Sequence, residues 1–256
     1  MADGGMPLFS SDGEAMSWLS ERAESDPSCS AVLGLMFEEG LGVARSDSEA
    51  AEWYRRAAER GNPDAQFSLG AMHEDGRGVP QSDSEAAEWY RRAAEQGYAP
   101  AQCSLGWMRL NGRGVPQSDS EAVAWYRRAA DQGSAMAQCS LGVMYENGRG
   151  VPQSYGEAVA WYRKAAEQGY APAQCSLGVM YEDGRGVPKS GSEAVAWYTR
   201  AAEQGDSDAQ FNLGAVHEEG KGVPRSIAVA RKWYRKAAAQ GDEDAEAALS
   251  RLRDPS

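Results

Sequence analysis

Residues 62–97 read NPDAQFSLGAMHEDGRGVPQSDSEAAEWYRRAAEQG, and this frame returns every 36 residues along most of the chain. Trp-Tyr stands at Trp53, Trp89, Trp125, Trp161, Trp197 and Trp233; Leu-Gly ends at Gly34, Gly70, Gly106, Gly142, Gly178 and Gly214. A Gly-x-Gly-Val loop opens at Gly40, Gly76, Gly112, Gly148, Gly184 and Gly220. Three motifs held in one register over six copies, with no insertion, mean an array of structural repeats.

The period inside the unit is helical. Ala65, Leu69 and Met72 form one stripe of a helix A. Gly76 and Gly78 break it, and Val79-Pro80 forces extended backbone. Ser82 and Glu85 make a capping box for helix B, repeated at Ser46/Glu49, Ser118/Glu121, Ser154/Glu157 and Ser190/Glu193. The last unit lacks it, since Val229 follows Ser226. Gly97 supplies a left-handed end to helix B. No segment alternates polar and apolar as a strand would, so the chain reads as all-α. Ala65, Ala101, Ala137, Ala173, Ala209 and Ala245, with the Gly70 series, let each helix A approach its neighbour closely. The tyrosines and tryptophans of helix B fill the space that remains.

This pattern resembles the Sel-one-like repeat (SLR), a relative of the tetratricopeptide repeat, whose signature lies on Leu69, Gly70, Ala86, Tyr90 and Ala93. The resemblance implies a right-handed α-solenoid of six 36-residue helix-turn-helix repeats with helical caps. The expected organisation is a tail at 1–11, a capping helix at 12–25, repeats at 26–61, 62–97, 98–133, 134–169, 170–205 and 206–241, and a capping helix with tail at 242–256. Both tails, from residue 1 to 11 and from 254 to 256, are expected to fray. The resemblance also implies a non-enzymatic scaffold or adaptor that binds a protein or peptide. A structural subunit of a larger complex is the alternative, with a cryptic hydrolase behind it.

Composition narrows the partners. A formal charge of −12, from 38 acids against 26 bases, repels phosphate backbones and argues against nucleic acid. Mean hydropathy of −0.61 excludes a membrane-buried chain. Neither a signal peptide nor a spanning run is visible, which points to the cytoplasm. Catalytic, metal and cofactor sites are all read as none. His73 and His217 share one repeat slot and read as framework. The Gly-rich loops recur as turns, outside any nucleotide-binding context. Cys103, Cys139 and Cys175 also share a slot, and helix axes about 8–10 Å apart hold equivalent positions too far apart for a disulfide. Some secreted relatives pair two cysteines within each repeat; this chain lacks that pair. A basic ladder of Arg77, Arg113, Arg149, Arg185 and Lys221 reads as solvated or paired with nearby acids.

By resemblance to tetratricopeptide geometry, a concave groove runs over the A helices. Its candidate residues are Phe67, Glu74 and Asp75 in one repeat and Cys103, Trp107, Arg109, Leu110 and Asn111 in the next. Cys139, Val143 and Glu146, then Cys175, Val179, Glu182 and Asp183, continue it. An apolar middle between acidic ends suits a segment with apolar anchors and basic flanks. Trp107 departs most from the frame and is the expected anchor.

Overall fold

The computed structural model describes residues 12–252, and over these it has fourteen helices and no strand. The expectation that the tails fray falls outside the described residues. A first helix, α1 (Asp12–Arg22), precedes six helix pairs. These are α2 (Pro27–Glu39) with α3 (Asp47–Glu59), α4 (Pro63–Asp75) with α5 (Asp83–Glu95), and α6 (Ala99–Asn111) with α7 (Asp119–Asp131). Then come α8 (Ala135–Asn147) with α9 (Tyr155–Glu167), α10 (Ala171–Asp183) with α11 (Gly191–Glu203), and α12 (Ser207–Glu219) with α13 (Ile227–Ala238). A short α14 (Glu243–Arg251) follows. The chain forms two compact units, one ending at Ala129 and the other starting at Ala130.

Every A helix stops at a left-handed glycine, as at Gly148 with φ +67°. The capping box is only half made. Ser154 Oγ accepts from the Glu157 amide at 3.3 Å, but the Ser154 amide donates to the Tyr145 carbonyl at 2.9 Å instead of to Glu157. That second bond closes the inter-helix loop onto helix A. It explains why the last pair forms without a glutamate: Ser226 still caps Val229, and its amide still reaches the His217 carbonyl.

In the first unit, Leu19 of α1 and Ala23 just after it pack on Leu33 and Met36 of α2, and Ala65, Leu69 and Met72 of α4 close on Tyr54 of α3. In the second, Tyr162, Ala173, Leu177 and Met180 form one core and Tyr198, Ala209, Leu213 and Val216 the next. The tyrosines of the Trp-Tyr pairs are buried; Trp89 is buried with the core of the preceding repeat, and Trp125, Trp197 and Trp233 are partly buried against theirs. Each tryptophan also carries a cation over its ring, such as Arg128 at 4.4 Å from the Trp125 centroid. Tyrosine and tryptophan therefore share the inter-unit space as expected: tyrosine lies within the core of its own repeat, and tryptophan packs on the core of the repeat before it, as Trp89 does on Tyr54, Leu69 and Met72.

Buried glutamines add a second tie. Gln174 donates to the Ala166 carbonyl at 3.1 Å and accepts from Gln204 at 2.8 Å, which satisfies the last turn of α9 away from water. Gln210 repeats this with Ala202 and Gln240, and Gln66 with Ala58 and Gln96.

Candidate partner-binding face

One slot of helix A holds Leu35, Ala71, Trp107, Val143, Val179 and Ala215; the first, third and fourth are exposed, and Ala71, Val179 and Ala215 are half-buried. Leu35 is exposed by 45%, Trp107 by 41% and Val143 by 41%. Four residues earlier the same helices turn inward, and Cys103 and Cys175 are buried there while Cys139 is half-buried. Burial pushes the Cys139 thiol up to about 12, and burial followed by the Asp206 and Asp208 charges does the same to Cys175. All four cysteines are free thiols.

In the first unit, Phe67 lies half-buried between Tyr90 and Tyr98, at centroid distances of 5.4 and 5.6 Å. The Trp107 ring lies under the Arg113 guanidinium, 5.1 Å from its centroid. Asp83 holds Arg113 with a fork of two bonds, 3.1 and 2.7 Å, so the cation over Trp107 is fixed. Arg109 pairs with Glu121 at 3.1 Å and donates to the Pro116 carbonyl. Asn111 donates to the Trp107 carbonyl at 2.8 Å and so finishes its own helix. Leu110 is half-buried.

The acids at the ends of the A helices have a different place from the one their sequence context suggests. Glu146 accepts from the Tyr162 hydroxyl and from Arg185, both at 2.7 Å. Glu182 takes Tyr198 at 2.9 Å and Lys221 at 3.5 Å; Glu74 takes Tyr90 at 2.9 Å and Arg113 at 3.4 Å. Glu38 holds Tyr54 and Arg77 at 2.7 Å each. One carboxylate thus ties its own helix B to the loop of the following repeat. Asp75 and Asp183 pair with the loop arginines Arg77 and Arg185. The glutamates are engaged within the fold, while Asp75 and Asp183, more than half exposed, pair at its surface. Arg77, Arg113, Arg185 and Lys221 of the basic ladder are the other half of the same ties, paired with nearby acids as expected.

Two features escaped the sequence. Glutamate stands 16 residues before tyrosine in five of the six repeats, a spacing that marks the tie, and Leu110 is the exception. Leu35 shares the slot of Trp107, which a comparison of that slot across all repeats would have flagged. His73 Nδ1 lies 3.4 Å from the Pro80 carbonyl, inside its own loop. Among the described residues no group of three or more His, Cys, Asp or Glu is placed to hold a metal. No helix among them is long and apolar enough to cross a membrane.

Helix pairs of constant length, tied to the next pair by the same side chains, define a helical-repeat protein. The chain belongs to the Sel1 repeat family, whose model matches 27–62, 63–98, 99–134, 135–170, 171–206 and 207–242. Among solved structures it is similar to c5321, a protective antigen of uropathogenic Escherichia coli with an SLR fold, at 36% identity and a TM-score of 0.86. That match covers 93% of this chain and 51% of the other, so this chain spans about half of that protein's length. A Sel1 repeat protein from Oxalobacter formigenes is 33% identical with a TM-score of 0.81, covering 88% of this chain and 92% of that one. An immunity protein of Pseudomonas aeruginosa, Pa5087, shares the fold at 23% identity and a TM-score of 0.52, over 95% of this chain and 86% of its own. No curated protein sequence matches this chain. Sel1-repeat proteins are in general non-enzymatic scaffolds that bind other proteins.

Proposed function

We propose that this protein is a non-enzymatic adaptor that takes a peptide or protein segment on the slot of its A helices that holds Trp107. One observation carries the reading: Leu35, Trp107 and Val143, three large apolar side chains, stand exposed in one repeat slot. Single exposed apolar residues are ordinary, but recurrence in one register is not random scatter. The A helices of the first unit add the half-buried Phe67 and Leu110, and those of the second add Cys139 and Val179. Such a surface gains from covering apolar anchors, and the chain's charge of −12 favours basic flanks in the partner.

The test begins with affinity capture from native lysate and mass spectrometry, followed by titration of the purified partner. Trp107→Ala is expected to weaken binding by about 2 kcal/mol or more, mostly through faster dissociation. Arg128→Ala and Arg200→Ala on the B helices are expected to leave affinity unchanged. The opposite result would move the binding surface to the B-helix face. A partner that co-purifies only at fixed stoichiometry, and without which the chain precipitates, would make it a structural subunit instead.

A further inference from the structure

In the second unit the A helices α10 and α12 and the terminal α14 enclose an open cavity of about 510 Å³. Its apolar floor is Pro172, Cys175, Val179 and Phe211. Four carboxylates line it, Asp206, Asp208, Asp242 and Asp244, and no lysine or arginine does. Asp206 and Asp242 cap their helices, accepting from the Ala209 and Ala245 amides at 2.8 Å. Asp208 and Asp244 lie in the first turns and leave those caps intact. Three helix N-termini meet here, each worth about half a positive charge, so they offset less than half of the four negative ones. The Cys175 thiol reports the same field, for after burial the Asp206 and Asp208 charges are what push it up to about 12.

The repeat frame does not require this charge. In the first unit the equivalent cavity, about 360 Å³ between α2 and α4, is lined by Ser28, Leu35, Asn62 and Ser68, with Asp64 as its one carboxylate. Asp64 stands in the slot of Asp208, but Asn62 stands where Asp206 does, and nothing in that lining matches Asp242 and Asp244. A volume of this size is that of a ligand pocket, and its apolar floor under an anionic rim fits an amphipathic cationic side chain.

We infer that the cavity of the second unit is a specificity pocket for a lysine or arginine side chain of a bound peptide, with a neighbouring apolar residue seated on Val179 and Phe211. The inference rests on the adaptor reading above and deepens it, because it moves the basic complement from the tied glutamates to these aspartates. The stem of the cation lies along the floor, its head meets Asp208 and Asp244, and the adjacent anchor excludes water.

The full chain, immobilised, is panned with a display library of random twelve-residue peptides, and enriched peptides are synthesised with a fluorophore for anisotropy titration. Enrichment of lysine or arginine beside an aliphatic or aromatic residue is expected. Asp208→Asn with Asp244→Asn should weaken those peptides tenfold or more, and the difference should shrink as salt rises. Replacing the basic residue of the peptide by glutamine should cost the same on the unaltered protein, which keeps the test valid even if the double variant folds poorly. Peptides that depend on Trp107 or Val143 but tolerate both changes would overturn the pocket and leave the adaptor reading standing. No enrichment at all would sink both. A dimer dissolved by the double variant would give the cavity to a second copy of this chain and overturn the peptide.

Discussion

At the scale of single residues, the glycine of Leu-Gly shows how the frame is enforced. A Cβ on Gly142 would stand 2.5 Å from the Tyr162 ring, and the equivalent glycines meet their own tyrosines in the same way. Close approach was expected here, and the partner is the buried tyrosine of the same repeat. That ring is 1% exposed and cannot swing away. Alanine in a helix interior gains about 1 kcal/mol over glycine, whereas overpacking costs about 1–3 kcal/mol. Gly142→Ala should therefore destabilise, by up to about 2 kcal/mol, in urea unfolding. Gly156→Ala, with nothing within 4 Å, should be neutral or slightly stabilising. Equal effects at both sites would remove the steric argument. The tyrosines themselves predict an alkaline limit. Tyr54, Tyr90, Tyr162, Tyr198 and Tyr234 are raised above the ordinary range, first by burial and then by the bonded glutamate. Unfolded tyrosine ionises near about 10, so above that pH the unfolded chain holds fewer protons than the native one. Stability is full below about pH 10 and falls as pH rises further. Absorbance at 295 nm should show these phenols ionising together with loss of helical circular dichroism. Gradual ionisation at an ordinary midpoint, with the helices intact, would count against the ties.

For the helix as an element, the ends were the most legible part. Pro63 in the first turn of α4, Ser82 before α5 and Gly76 after α4 act through local backbone geometry, which a sequence carries directly. The capping box was half legible. Its serine is visible in sequence, but the destination of the serine amide is a carbonyl nine residues back, on the other side of the loop. Ser154→Ala should then cost about 1 kcal/mol, as N-cap removal does. Glu157→Ala should cost only the few tenths that an acid contributes to a helix N-terminus. Thermal unfolding of both variants and of the pair would decide the matter. A loss at Glu157 equal to that at Ser154 would restore the full reciprocal box.

Across the whole molecule, the repeat count and fold class were open to view because a 36-residue period is a property of the string alone. The candidate face was less so. Trp107 could be singled out by its departure from the frame, yet the engagement of Glu146 depends on what lies 16 and 39 residues away. An acid that looks free in a local window is bound once the next repeat stacks. The same stacking sets the role of α14. Ala245 and Ala248 cover Ala230, Tyr234 and Ala237 of α13. Arg251 bonds Glu218, the tie that a following loop cation would otherwise make, and holds that carboxyl below its usual range. Because Arg251 is 63% exposed, Arg251→Ala alone should change the midpoint little. Deleting residues 242–256 is a different matter, since it bares an apolar face that no single pair can bury. Helical signal should fall by clearly more than the nine residues of α14, with early melting of α12 and α13 in hydrogen exchange. If only those nine residues are lost and the midpoint holds, each helix pair is stable alone, and the stacking account of this chain fails.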